Sequence, residues 1–66
     1  MNAVILETSQ VDGATARLDA RQSKHVTDVL KKGVGDQILA GVVDGPIGLC
    51  GIVAVDEDIV RIAAPA

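Results

Sequence analysis

The amino-acid sequence predicts a mainly β fold, a small β-barrel of about five strands with one short α-helix. Three observations support this prediction. Val and Ile are abundant in the 66-residue chain, and β-branched residues favour strands. Seven glycines mark turns and bends between short strands. Only the segment 19–33 combines a start signal, an apolar stripe and a stop signal for a helix.

The predicted strands are short apolar segments bounded by turn residues, at 3–6, 14–18, 37–43, 47–55 and 59–63. The last strand is expected to turn Arg61 toward water. In the fourth strand, the alternate residues expected to face the core are Ile47, Leu49, Gly51, Val53 and Val55. Gly48 and Gly51 would permit the bend that a closed barrel needs.

Turn residues separate these strands. Residues 11–13 are predicted to form a turn, and residues 33–36 a tight connection after the helix. The pair Asp44-Gly45 is typical of a two-residue type I′ hairpin turn, and Pro46 can begin the next strand. The acidic residues 56–58 are expected to form the last turn.

The predicted helix begins at Asp19, which can cap the first turn while Gln22 reaches back in a capping box. Its apolar stripe is expected to consist of Ala20, Ser23, Val26, Val29 and Leu30. Lys31 and Lys32 are placed in the last turn, where the negative end of the helix dipole favours cations. Gly33 is the expected residue after the helix end.

Length and composition exclude several classes of protein. The 66 residues form one domain at most, 1–66, which is too short for both a nucleotide-binding unit and a substrate-binding half. The single Cys50 cannot form an intramolecular disulfide, so a reducing, cytoplasmic setting is expected. No signal peptide or membrane-spanning segment is predicted. Residues 63–66 are similar to the beginning of a linker, which predicts that the natural chain continues.

Positive charge is concentrated in one segment, although the whole chain carries a net charge of −3. Residues 17–32 hold five basic and two acidic residues, a net charge of +3, whereas the remainder carries −6. This asymmetry indicates a local basic surface, since screening limits the reach of each charge to about 10 Å. The alternative is an ordinary solvated helix face, on which Asp28 pairs with Lys24 or Lys32.

No Walker A loop, G-x-G-x-x-G, H-E-x-x-H or C-x-x-C motif is present. His25 has two interpretations, a helix-face histidine packed beside the barrel or a polar contact to a phosphate or base. Cys50 is expected to be a small buried hydrophobic residue. Asp36 is expected to bond nearby amides in its turn. Residues 56–58 could bind a divalent ion, but a turn of solvated carboxylates is the commoner arrangement.

A motif in the middle of the chain, within residues 25–45, carries a family resemblance. It runs H-V-x-x-V-L-K over 25–31, then G-D-x-I over 35–38, then D-G at 44–45. This pattern resembles the N-terminal domain of the RsmE family, the ribosomal RNA uridine-N3 methyltransferases of the small subunit. Lys31 stands where the family has arginine, which keeps the charge but loses the bidentate fork that suits phosphate.

The resemblance implies a PUA-like β-barrel that helps to grip small-subunit ribosomal RNA. It further implies a separate C-terminal knotted SPOUT domain that binds S-adenosylmethionine, carries the catalytic activity and is not part of this chain. This chain alone is therefore expected to have no enzymatic activity and to bind no cofactor. Its expected partners are the RNA and its own catalytic domain, and no membrane.

The candidate RNA-binding residues are Arg21, Lys24, His25, Lys31 and Lys32. His25 and Lys31 match the family pattern, whereas the other three follow from charge placement alone. No aromatic residue is available for base stacking, so we expect weak, salt-sensitive RNA binding. The alternatives are a small barrel that recruits a protein partner, or a structural module that orients its catalytic domain.

Overall fold

The computed structural model describes residues 3–65 and shows a mainly β protein, as predicted. Within this range one helix, α1, is α-helical over Ala20–Lys24 and continues as a π-helical turn over His25–Val29. Six strands form one sheet: β1 (Ala3–Leu6), β2 (Val11–Asp12), β3 (Thr15–Arg17), β4 (Gln37–Val42), β5 (Ile47–Asp56) and β6 (Ile59–Ala63). The sequence predicted five of these six strands. The additional strand is the short β2, which lies where only a turn was predicted and follows a 3-10 turn at Thr8–Gln10.

The strands lie in the order β1-β4-β5-β6-β3-β2. β1 runs parallel to β4, and each of the other neighbouring pairs is antiparallel. The ten-residue β5 pairs with β4 along its first half and with β6 along its second half. The sheet therefore curls into a half-barrel around this one long strand.

The hydrophobic core lies between the concave inner face of the sheet and α1. Its fully buried members come from every strand except β2, together with α1 and the segment before it. They are Val4, Leu6, Ala16, Leu18, Val26, Ile38, Ala40, Cys50, Ile52, Val60 and Ile62. Several are small, because little room is left inside a tightly curled sheet that a helix also approaches.

The orientation predicted for β5 is wrong. Cys50 and Ile52 face the core, with 2% and 3% of their surface exposed, whereas Leu49 is 68% exposed. The other large residues predicted to be buried, Ile47, Val53 and Val55, are also exposed. A β-bulge between Ile52 and Ala54 inserts one extra residue and shifts the alternation beyond it. Period-two alternation shows which residues share a face but not which face is covered.

The predicted start of the helix is confirmed, and its predicted end is wrong. The Asp19 carboxylate accepts a hydrogen bond from the Gln22 amide at 2.7 Å, and the Gln22 side chain accepts one from the Asp19 amide at 3.0 Å. The helix ends at Val29, so Lys31 and Lys32 lie beyond its last turn. Lys31, with φ 56°, adopts the left-handed conformation that was expected at Gly33.

The π-helical turn also changes the apolar stripe. Ser23 and Val26 are buried and Leu30 is partly buried, as predicted, but Ala20 is exposed and Val29 is 64% exposed. Hydrogen bonds in a π-helix join residues five apart, as between the Leu30 amide and the His25 carbonyl. The wider turn rotates Val29 away from the face that contains Val26.

The two hairpin turns differ from the sequence prediction in one respect. At the first, the Gly45 amide donates to the Val42 carbonyl, so the central residues are Val43 and Asp44 instead of Asp44 and Gly45. At the second, Glu57 and Asp58 have φ 51° and 66°, the positive values that a type I′ turn requires. The acidic turn is therefore confirmed, and it contains two left-handed residues, whereas at Asp44-Gly45 only Asp44, with φ 57°, is left-handed.

Candidate functional site

Two glutamine side chains position α1 across the open side of the half-barrel. Gln22 donates to the Ile5 carbonyl on β1 at 2.9 Å, and Gln10 donates to the Arg17 carbonyl on β3 at 3.0 Å. Gln10 also donates to the Gln22 side-chain oxygen at 2.8 Å. This glutamine bridge joins strands from the two sides of the sheet and holds the first turn of α1 between them.

A buried serine also holds α1, on the side that faces the sheet. Ser23 is the buried polar residue among those that the structure describes, and its hydroxyl accepts a hydrogen bond from the Val60 amide at 2.9 Å. The Val60 carbonyl in turn accepts from the Leu18 amide. Because a buried amide without a partner is costly, Ser23 couples the orientation of α1 to β6.

The five predicted RNA-binding residues are all exposed. Arg21 and Lys24 lie in the α-helical part of α1, and His25 begins its π-helical turn. Arg21 and His25 line one shallow groove between α1 and β1, together with Gln22 and residues 3–5. The structure therefore brings these two side chains to a common surface next to an edge strand.

Lys31 and Lys32 lie in the connection between α1 and β4. This connection is held at both ends, since the Lys32 amide donates to the Val26 carbonyl and the Gly35 amide donates to the Ile52 carbonyl. Asp36 bonds a nearby amide as predicted, accepting from Gly33 at 2.8 Å. The helical spacing that would set Lys32 one turn beyond Asp28 is absent, because α1 ends before Lys32.

Two basic residues that the candidate set omitted lie on the opposite half of the sheet. Arg17 on β3 and Arg61 on β6 are directly paired in the antiparallel register, and both are exposed, as predicted for Arg61. They line an open groove of about 830 Å³ with hydroxyl and carboxylate side chains, among them Thr15, Asp12 and Asp19. Charge counting along the sequence could not find this pair, because β-strand pairing brings the two residues together.

Cys50 lies on the inner face of β5, as expected of a small buried hydrophobic residue. Burial raises the pKa of its thiol above the ordinary value of 9.0. Its sulfur lies 3.5 Å from the Gly48 carbonyl oxygen. The thiol therefore stays protonated at neutral pH, which is the form that is neither nucleophilic nor metal-binding.

Residues 3–65 contain neither a metal-binding cluster nor a membrane-spanning helix. Within that range, no group of three or more His, Cys, Asp or Glu side chains is arranged to hold a metal ion. No helix in the same range is both long enough and apolar enough to cross a membrane.

Comparisons with known proteins support the fold only. No protein-family model and no curated protein matches the chain. Among solved structures, the fold is similar to that of a chain described as "Crystal structure of an hypothetical protein", with a TM-score of 0.77 and 23% sequence identity. The alignment covers 94% of this chain and 27% of that chain. The protein therefore spans about a quarter of the length of this structural neighbour.

Proposed function

We propose that the protein is a non-catalytic RNA-binding domain, a PUA-like module that grips small-subunit ribosomal RNA for a ribosomal RNA uridine-N3 methyltransferase. Its basic surface consists of Arg21, Lys24, His25, Lys31 and Lys32. The methyl donor, S-adenosylmethionine, and the transfer reaction belong in this proposal to a separate SPOUT domain. The resemblance of residues 25–45 to the RsmE family motif supports this assignment.

The conformation of Lys31 is the observation that carries the proposal. Its φ of 56° lies in the left-handed region, where a residue with a Cβ costs about 1–2 kcal/mol relative to right-handed backbone. Glycine is the usual residue after a helix end, yet the chain has lysine there and glycine two positions later. Backbone strain of this kind is concentrated at functional sites. A requirement for the Lys31 charge at this point of the surface explains the strained lysine.

Electrostatics sets the mode of RNA binding. An exposed lysine or arginine that neutralises a phosphate releases condensed counterions, so the affinity falls as the salt concentration rises. Without an aromatic side chain, the domain makes no base-stacking contribution. The domain therefore binds RNA by its phosphates, and the selection of the modified nucleotide belongs to another part of the enzyme.

Three substitutions of Lys31 test the proposal by separating stability from RNA affinity. Lys31→Gly relieves the strained backbone and raises the free energy of unfolding, while it weakens binding to a small-subunit ribosomal RNA fragment. Lys31→Gln weakens RNA binding without the gain in stability. Lys31→Arg restores the family residue and its bidentate fork, so the affinity rises. In each charge-removing variant, the slope of log affinity against log salt falls by about one.

Gln37→Glu is the matched control for net charge. Gln37 is exposed on β4, and this substitution makes the net charge more negative by one unit, as Lys31→Gln does. If Gln37→Glu weakens RNA binding as much as Lys31→Gln, only the overall charge matters and the assigned surface is wrong. Amide shifts that avoid residues 21–32 during the RNA titration would contradict it as well.

A second candidate function is that of a structural module, and the outer face of β1, β4 and β5 favours it. Ile5, Leu39, Ile47 and Leu49 lie on this face, which we call the outer apolar face; all but the half-buried Leu39 are exposed. Contiguous apolar surfaces of several hundred Å² mark interaction sites. The occupant that this candidate requires is the rest of a longer polypeptide, because the similar fold makes up only 27% of its own chain.

A dye that fluoresces on apolar surfaces tests this second candidate. The isolated domain should bind the dye, and Leu49→Gln should reduce the signal without reducing stability. A longer chain that includes the following polypeptide should lose the signal. Equal dye binding by the domain and the longer chain would show that the rest of the chain leaves this face uncovered.

A further inference from the structure

The outer surface of β3 and β6 carries a pair of arginines in an unusual arrangement. Arg17 and Arg61 are directly opposite each other, and their strand neighbours Ala16 and Ile62 are buried on the inner face. Both arginine side chains therefore project from the same outer face of the sheet. Directly opposed residues in an antiparallel pair have Cβ atoms about 4.5–5.5 Å apart, so the two side chains can reach one ligand.

Two like charges at directly opposed positions destabilise a sheet. The pair is therefore an unfavourable choice for the fold itself, and an anion bound between the two guanidinium groups would reverse the effect. Arginine presents a rigid planar fork of donors that matches the oxygens of carboxylate and phosphate. A carboxylate has only two acceptor oxygens, whereas a phosphate has more and can offer separate oxygens to each of the two forks.

The surroundings of the pair favour a compact ligand. The groove beside it contains the hydroxyls of Ser9 and Thr15 together with Asp12, and a smaller groove that the two arginines also line contains Asp56. The Ser9 hydroxyl can donate to a phosphate oxygen, whereas the Thr15 hydroxyl already donates to the Asp12 carbonyl at 3.4 Å. The flanking carboxylates repel a long polyanion that passes across them. The Asp19 carboxylate, which also lines the larger groove, already accepts the Gln22 amide at the start of α1.

We infer that Arg17 and Arg61 form a binding site for a single compact phosphate group, either inorganic phosphate or a terminal phosphate monoester. The pair lies outside the set of five residues proposed to bind RNA, and it lies on β-strands instead of α1 and its following connection. Failure of the five-residue surface to bind RNA would therefore not contradict the phosphate site, and absence of phosphate binding would not contradict the RNA-binding role.

Binding of inorganic phosphate to the intact chain tests the site. Side-chain Nε–Hε NMR signals of the two arginines should shift on titration with phosphate, and not with chloride at equal ionic strength. The unfolding temperature should rise with phosphate, because a ligand that binds only the folded state stabilises it. Arg61→Gln should weaken phosphate binding roughly tenfold or more. Arg61→Lys, which keeps the charge and loses the fork, should weaken it by a smaller factor.

Gln37→Glu is the matched control, since it makes the net charge more negative by one unit, as Arg61→Gln does, at an exposed residue of β4, and it should leave phosphate binding unchanged. Equal effects of phosphate on the wild type and Arg61→Gln would overturn the inference, as would equal shifts with acetate. A final arm uses RNA with and without a 5′-phosphate. Shifts of the arginine signals that require the 5′-phosphate support the site, whereas shifts that do not require it show an internal phosphodiester ligand and overturn the compact-ligand assignment.

Discussion

The outer surface of the sheet is apolar on one half and charged on the other, although β5 runs through both halves. Where β5 pairs with β4, the exposed residues include Ile47 and Leu49. Where β6 pairs with β3, they include Arg17 and Arg61. Both halves share one inner core, so stability does not require the difference between their outer surfaces. The two halves of the outer surface therefore differ in chemistry, one being apolar and the other carrying an arginine pair.

The largest expected effect is the difference in the free energy of unfolding between substitutions on the inner and outer faces of β5. Ile52→Ala should lower the free energy of unfolding by about 2–5 kcal/mol, since Ile52 is 3% exposed and its truncation leaves a cavity. Leu49→Ala should change it by about 0.5 kcal/mol or less, because Leu49 already contacts water. Urea denaturation measures both values. Equal losses would show that the outer apolar face is covered in solution, for example by self-association.

The next largest change in stability is expected at Ser23, which attaches α1 to β6 in the charged half of the sheet. Ser23→Ala should cost about 1–3 kcal/mol, because the Val60 amide would remain buried without its acceptor. Ser9→Ala is the control, since Ser9 is exposed in the 3-10 turn and should have little effect. A loss below 0.5 kcal/mol for Ser23→Ala, about the limit for surface substitutions, would mean that water replaces the hydroxyl.

A third comparison uses turns on the charged half. Replacing Glu57 and Asp58 by Asn and Gly should raise the free energy of unfolding by about 1 kcal/mol, because both positions have positive φ and Asn-Gly is the preferred type I′ pair. Gly13→Ala should have the opposite sign, since Gly13 has φ 63° in the turn between β2 and β3. Thermal unfolding measures both changes, and a loss of stability in the Asn-Gly variant would contradict the turn type.

The smallest expected effect is the pH dependence contributed by Cys50. Burial raises its pKa in the folded state, so the folded protein holds the thiol proton after the unfolded chain has lost it. The stabilisation is fully present below the unfolded pKa and is lost as the pH rises through the folded pKa. Cys50→Ala should therefore show a smaller loss of stability between pH 7.5 and pH 10 than the wild type. Identical pH profiles would show that the thiol is exposed.

Local signals in the sequence determined where most elements lie. The strand at Ala3–Leu6, the turn at Asp36 and the capping box of Asp19 and Gln22 all depend on residues that are close together in the chain. Neighbouring residues settle such features through backbone preference and short-range hydrogen bonds, so they can be predicted without knowledge of the fold. The exposure of Arg21, Lys24 and His25 on α1 follows from the same local patterns.

Tertiary structure alone decided which face of β5 is buried, where α1 ends and which arginines meet. The inner face of a strongly curled sheet beneath a helix has room for Cys50 and Ile52, so the larger alternate set turns outward. Arg17 and Arg61 meet only because β3 pairs with β6. Alternation and charge along a chain are one-dimensional properties, whereas burial and strand pairing depend on space that the rest of the molecule fills.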